Sequence, residues 1–121
     1  MPEGVTLIPW GGFPVHDLPT EPFTIRVLRV TLEPGAVVPP GAVPYPAAAY
    51  VEAGEVVLVP EGGGRWVYGP DGELLDSGAM EEMVLPVGAW FYTSPNTVDG
   101  IRNDGPDQAS ILGIELIPTT E

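Results

Sequence analysis

The chain contains no cysteine, no lysine and a single histidine, His16. Without cysteine there is no disulfide, no zinc–thiolate site and no thiol nucleophile. Without lysine there is no Schiff-base chemistry and no P-loop lysine. Positive charge is confined to four arginines against seventeen acids, a net charge of −13. A field of that sign repels a phosphate backbone and an anionic membrane surface, so neither nucleic acid nor membrane is an expected partner. What the acidity supports first is solubility. No apolar run approaches the roughly 18 residues of a spanning helix, and no charged-then-apolar leader opens the sequence. The expectation is a soluble, cytoplasmic protein, a compartment that the missing cysteines also suit.

Helical periodicity is missing as well: no stretch repeats apolar residues at helical spacing. Glycine and proline are plentiful, 16 each. At that level a chain can be disordered, but Leu, Ile, Val and Phe make up 34 of the 121 residues, above the floor of about 20% for folding chains. The glycines and prolines also fall between short apolar runs, which is the pattern of many strands joined by tight turns. Residues 1–22 read as an irregular leader, too rich in Pro and Gly for a long helix. In it Val5, Leu7 and Ile8 suit a short strand, and Trp10 and Phe13 need a surface to bury against, over a barrel mouth or on a second subunit. Residues 23–121 read as one β domain.

Within that domain FTIRVLRVTLE, residues 23–33, predicts the first strand, with Leu28, Val30 and Leu32 facing inward. Further strands are predicted over 47–53, 55–60, 65–68, 73–75, 82–86, 89–93, 98–103 and 109–117, with Gly62-Gly63-Gly64 as a flexible loop. Gly69-Pro70-Asp71-Gly72 is a hairpin signal. The fold class is all-β, a sandwich or barrel.

Two stretches carry a family likeness. In the first, Gly35 and Gly54 bracket Gly41, Val43 and Ala47; in the second, Gly88 and Asn103 bracket Ser94, Asn96 and Asp99. In length and in these anchors the two stretches resemble the paired motifs of the cupins, whose fold is a double-stranded β-helix, or jelly-roll barrel. The resemblance puts the family's two first-motif histidines on Gly41 and Val43 and its glutamate on Ala47. It puts the second-motif histidine on Asp99, the proline on Ser94 and a glycine on Asn96. It implies a homodimer and, in metal-bearing relatives, an ion held by three imidazoles and a carboxylate. Here three of the four positions have no donor side chain, so no metal and no other cofactor is expected. Motif glycines shape turns and Asn103 can tie strand to loop, roles the fold needs with or without an ion. A site assembled from His16, Asp17 and Asp99 would require the leader to fold over the barrel mouth.

Loss of three bulky ligands predicts space inside the barrel, lined by Gly41, Val43, Ala47, Ala49 and Val51. The candidate ligand-binding residues are Tyr45, Trp90, Tyr92, Asp99 and Asn103. Asp99 is open to three readings: a general acid or base whose pKa is raised by burial, a ligand contact, or a cap on its own turn. Arg102 is expected on the surface among acids, and Arg26 has the parity to enter the barrel and pair with an acid. Three functions follow: a metal-free barrel that binds a small sugar-like or carboxylate metabolite, a metal-independent isomerase, epimerase or lyase pairing Asp99 with Tyr45 or Tyr92, or a structural barrel filled by its own side chains.

Overall fold

The computed structural model describes residues 3–9, 18–76 and 81–119. Runs rich in β-branched residues become strands, and Gly and Pro punctuate them. In chain order the strands are β1 (Phe23–Leu32), β2 (Val37–Ala42), β3 (Ala47–Ala53), β4 (Val56–Gly62), β5 (Arg65–Tyr68), β6 (Leu74–Asp76), β7 (Met83–Leu85), β8 (Trp90–Thr93), β9 (Val98–Arg102) and β10 (Ala109–Pro118). They form two antiparallel sheets, ordered β1-β10-β3-β8-β5-β6 and β2-β9-β4-β7. Each sheet interleaves strands from both halves of the chain, which is how a jelly roll closes. The interleaving brings the two sequence motifs together, β2 onto β9 and β3 onto β8.

The motif anchors shape turns. Gly35, Gly54 and Gly88 have φ of 86°, 69° and 93°, a region that side chains with a Cβ rarely enter. At Gly54 a Cβ would also lie 2.8 Å from the carbonyl oxygen of Gln108. Asn96, which stands where the motif has glycine, has φ of 66°; asparagine is among the few residues that tolerate that region. Asn103 is fully buried, donating from Nδ2 to the carbonyls of Leu32 at 3.0 Å and Asp107 at 2.8 Å and accepting from the Gly105 amide at 2.9 Å.

Three local expectations need correction. Residues 37–42 are not among the predicted strands, and Pro39 and Pro40 cannot donate to a ladder. They do form one, at the sheet edge, with a register shift between Val38 and Gly41. An edge tolerates proline, and the bare backbone of Gly100 lets the bulge approach: a Cβ there would stand 2.6 Å from the Val38 carbonyl. Val5, Leu7 and Ile8 lie in no strand and are exposed. The triple glycine is pinned rather than loose: the Gly64 carbonyl accepts from Thr97 Oγ1 at 2.8 Å and from the Ser94 amide at 3.0 Å. Trp10, Phe13, His16 and Asp17 lie outside the described residues.

Inward-facing side chains grade from one end of the barrel to the other. At one end Leu32, Val51, Val56, Leu58, Val67, Leu85, Ala89 and Ile111 form a tight core. Full burial of such a Val or Leu contributes about 1.5–3 kcal/mol. Moving along the same strands toward the other end, Val51 gives way to Ala49 and Ala47, Ile111 to Gly113 and Glu115, and Leu32 to Leu28 and Arg26. One end is packed and the other is open.

Candidate functional site

The open end is hollow because small residues occupy successive inner positions. Ala49 pairs with Gly113 on β10 and with Phe91 on β8, and Ala47 pairs with Thr93. A cavity of about 200 Å³ sits above them, walled by Leu28, Val30, Phe91, Ile101 and Ile111 and bearing Asp99 and Glu115. A second, of about 330 Å³, adjoins it through Val38, Ala47, Phe91 and Asp99, and reaches Gly41, Val43, Thr93 and Thr97. The space expected from the vacated positions is therefore present, lined by Gly41, Val43, Ala47 and Ala49. Val51 is instead buried in the packed end.

Asp99 enters the cavity from β9, opposite Gly41 on β2 and Pro60 on β4. Its Oδ2 accepts no hydrogen bond among the described residues. Among the described residues its ion-pair partner is Arg65, whose Nε is 3.7 Å from that oxygen. Burial pushes the Asp99 carboxyl above the usual aspartate range, and the attraction of Arg65 only partly offsets it. The Arg65 side chain is wholly buried. Its Nη2 donates to the carbonyls of Gly62 at 2.9 Å and Val98 at 3.3 Å, which holds the guanidinium beneath the triple-glycine turn.

The other polar groups of the lining are largely committed. Glu115 accepts from Arg26 Nε at 2.7 Å. Thr97 Oγ1 donates to the Gly64 carbonyl, and Thr93 Oγ1 donates to the Ala47 carbonyl at 3.4 Å. Arg26 has the parity of Leu28 and does pair with an acid, but it stays at the mouth, 58% exposed. Arg102 bonds Glu82 and Asp104 on the surface, as its parity requires.

Of the five candidate ligand-binding residues, only Asp99 lines these two cavities. Trp90 and Tyr92 face the other side of their strand. In an antiparallel pair, residues directly opposite share a face, and Trp90 lies opposite Tyr50 and Tyr92 opposite Ala48. Their rings pack on Tyr50 and Trp66, at centroid distances of 4.5 and 5.6 Å. Among the described residues the aromatic that lines the two cavities is Phe91. Tyr45 is half-buried in the β2–β3 loop and lines neither cavity, and Asn103 spends its amide on backbone. Among the described residues no tyrosine lines either cavity, so the proton-transfer pair of Asp99 with Tyr45 or Tyr92 is not assembled. Sequence reasoning did not find Arg65 or Glu115 as parts of the site.

The donor set does not fit a transition metal. Gly41, Val43 and Ala47 offer no ligand atom, and the one carboxylate at the vacated positions already faces a guanidinium, which repels a second cation. Among the described residues no three His, Cys, Asp or Glu side chains gather as a metal would require.

No protein-family model matches the chain, and no curated protein does. Solved structures do. An oxalate oxidase in complex with the substrate analogue glycolate is 18% identical, with a TM-score of 0.56 over 77% of this chain and 42% of its own. A further oxalate oxidase structure is 17% identical, with a TM-score of 0.55 over 78% of this chain and 46% of its own. Procruciferin, the 11S globulin of Brassica napus, is 17% identical, with a TM-score of 0.51 over 77% of this chain and 20% of its own. The chain thus spans less than half the length of each. At such identities the likeness is one of fold.

Proposed function

The fold is that of the cupin superfamily, and on that premise we propose that this barrel works without a transition metal, as a receptor for a small polar molecule held in its open end. One observation carries the reading: a mostly apolar cavity bears a carboxylate, Asp99, whose side chain is only partly covered by the protein. Small-molecule sites combine apolar walls with a few placed polar groups. The Asp99 side chain keeps 20% exposure, so the accessible part of its carboxylate can accept a hydrogen bond from a ligand donor. The open cavity disfavours a barrel filled by its own side chains. Proton-transfer catalysis would need a donor within reach of Asp99, and the absence of tyrosine from the described lining favours binding instead.

The test is to plug the cavity. Ala47 borders both hollows, so Ala47→Phe is expected to fill them. A panel of small sugars, polyols, hydroxy acids and amines would be screened by ligand-observed NMR against both proteins, with circular dichroism as the control for folding. At least one compound is expected to bind the wild type and lose binding in Ala47→Phe. Equal binding to both proteins would place the site elsewhere. Protein purified without chelator is expected to carry no stoichiometric iron, manganese, nickel or zinc; one equivalent of any of them overturns the metal-free part. A homodimer belongs to the same proposal, supported by the ten-residue β1 at a sheet edge with Ile25 and Val27 exposed. Light scattering that reports a monomer mass would remove it.

A further inference from the structure

Resting on that reading, we infer that the ligand is electrically neutral and presents hydroxyl groups, and that the barrel rejects carboxylates and ammonium ions of the same shape. The charges around the cavity are already balanced. Asp99 has Arg65 Nε at 3.7 Å, and Glu115 has Arg26 Nη2 at 2.6 Å. Each carboxylate brings its own counter-charge, and neither pair requires one from a ligand.

An anion would find acceptors where it needs donors. Asp99 and Glu115 face the cavity, whereas the Arg65 guanidinium lies wholly buried and donates to the Gly62 and Val98 carbonyls. The Thr93 and Thr97 hydroxyls donate to backbone. The net charge of −13 adds a long-range repulsion.

An ammonium would fare better in that field but worse at the site. It would leave water for walls made by Leu28, Val30, Phe91 and Ile111, and would approach a carboxylate that already has a guanidinium beside it. Desolvating a charge costs far more than desolvating a hydroxyl. A neutral hydroxyl loses little on entry and donates to the accessible part of the Asp99 carboxylate, while the apolar body of the molecule covers the hydrocarbon wall. Asp99 is then the residue that sets specificity, and Arg65 is a positioning residue that acts through it.

Three probes of matched shape separate the possibilities: cis-1,2-cyclohexanediol, cyclohexanecarboxylate and cyclohexylammonium. Their dissociation constants would be measured by NMR titration on wild type, Ala47→Phe and Asp99→Asn. The diol is expected to bind wild type about tenfold more tightly than either charged probe, a gap of about 1.4 kcal/mol. It is expected to lose that binding in Ala47→Phe. In Asp99→Asn the gap between diol and carboxylate is expected to narrow, because the amide can donate as well as accept. A charged probe that equals or beats the diol on wild type, yet is lost in Ala47→Phe, overturns the inference and leaves the barrel reading standing. No binding by any probe to wild type also overturns the inference. Binding unchanged in Ala47→Phe removes the barrel reading itself. If Ala47→Phe fails to fold, Gly113→Val plugs the same space from β10, where the first added carbon meets only ordinary contact with Leu28 at 3.5 Å.

Discussion

One arginine–carboxylate pair lies inside this barrel and another on its outer face, and they behave in opposite ways. Outside, Arg29 grips Glu52 with two bonds, Nε at 2.8 Å and Nη2 at 3.1 Å, and Ser110 Oγ adds a third at 2.8 Å. These donors push the Glu52 carboxyl down to about 2. Inside, Arg65 stands 3.7 Å from Asp99 with no hydrogen bond to Oδ2, and burial pushes that carboxyl up. The same two functional groups thus yield a carboxyl held down at the surface and one pushed up in the cavity. Geometry and water access decide the sign, and the inner acid is the one placed to meet a ligand.

The largest expected effect comes from breaking the inner pair. Arg65→Leu leaves Asp99 in an apolar cavity with no counter-charge, and is expected to lower stability by about 3 kcal/mol in urea denaturation. The lower end of the usual range applies because the Asp99 side chain keeps 20% exposure. Arg65→Leu with Asp99→Leu is expected to recover most of the loss, since a packed apolar pair can replace a buried ionic one. A double variant as unstable as the single one would mean that Arg65 matters through its backbone bonds to Gly62 and Val98 rather than through Asp99.

A smaller effect separates the two acids by pH. The folded-state pKa of Asp99 is raised, so its contribution is fully present below the unfolded value and is lost as pH rises through the raised value. The folded-state pKa of Glu52 is depressed, so its contribution is present above the ordinary glutamate range and is lost as pH falls toward about 2. Urea midpoints followed across pH are therefore expected to lose the first dependence in Asp99→Asn and the second in Glu52→Gln. Exchange of the two assignments would invert the comparison. The smallest effect is Glu52→Gln at neutral pH, a modest fall in midpoint, because an exposed pair is screened by water and salt.

Much of the scaffold was legible because it depends on local backbone rules. Gly35, Gly54 and Gly88 sit at positive φ, Asn96 occupies the motif's glycine slot in the same region, and Asn103 ties β9 to its neighbours. The vacated positions Gly41, Val43 and Ala47 do border the hollow. What stayed hidden depends on register. In the run Arg65-Trp66-Val67-Tyr68 polarity alone turns Arg65 outward. Pairing of Arg65 and Ala47 with the same residue, Thr93, turns it inward and sends Trp66, Trp90 and Tyr92 to the opposite face. Glu115 escaped notice for a similar reason, because the inward phase of β10 is set by Gly113 against Ala49 and Leu28. Strand β2 was not among the predicted strands; its Pro39 and Pro40 fit a ladder only at an edge or a bulge, and here they have both.

The most direct measurement follows the side-chain carboxyl carbons of Asp99 and Glu52 by NMR as cis-1,2-cyclohexanediol is added. The Asp99 resonance is expected to shift and saturate while that of Glu52 stays fixed. An unmoved Asp99, or two resonances that drift together without saturating, would contradict the assignment of the inner carboxylate as the ligand's anchor.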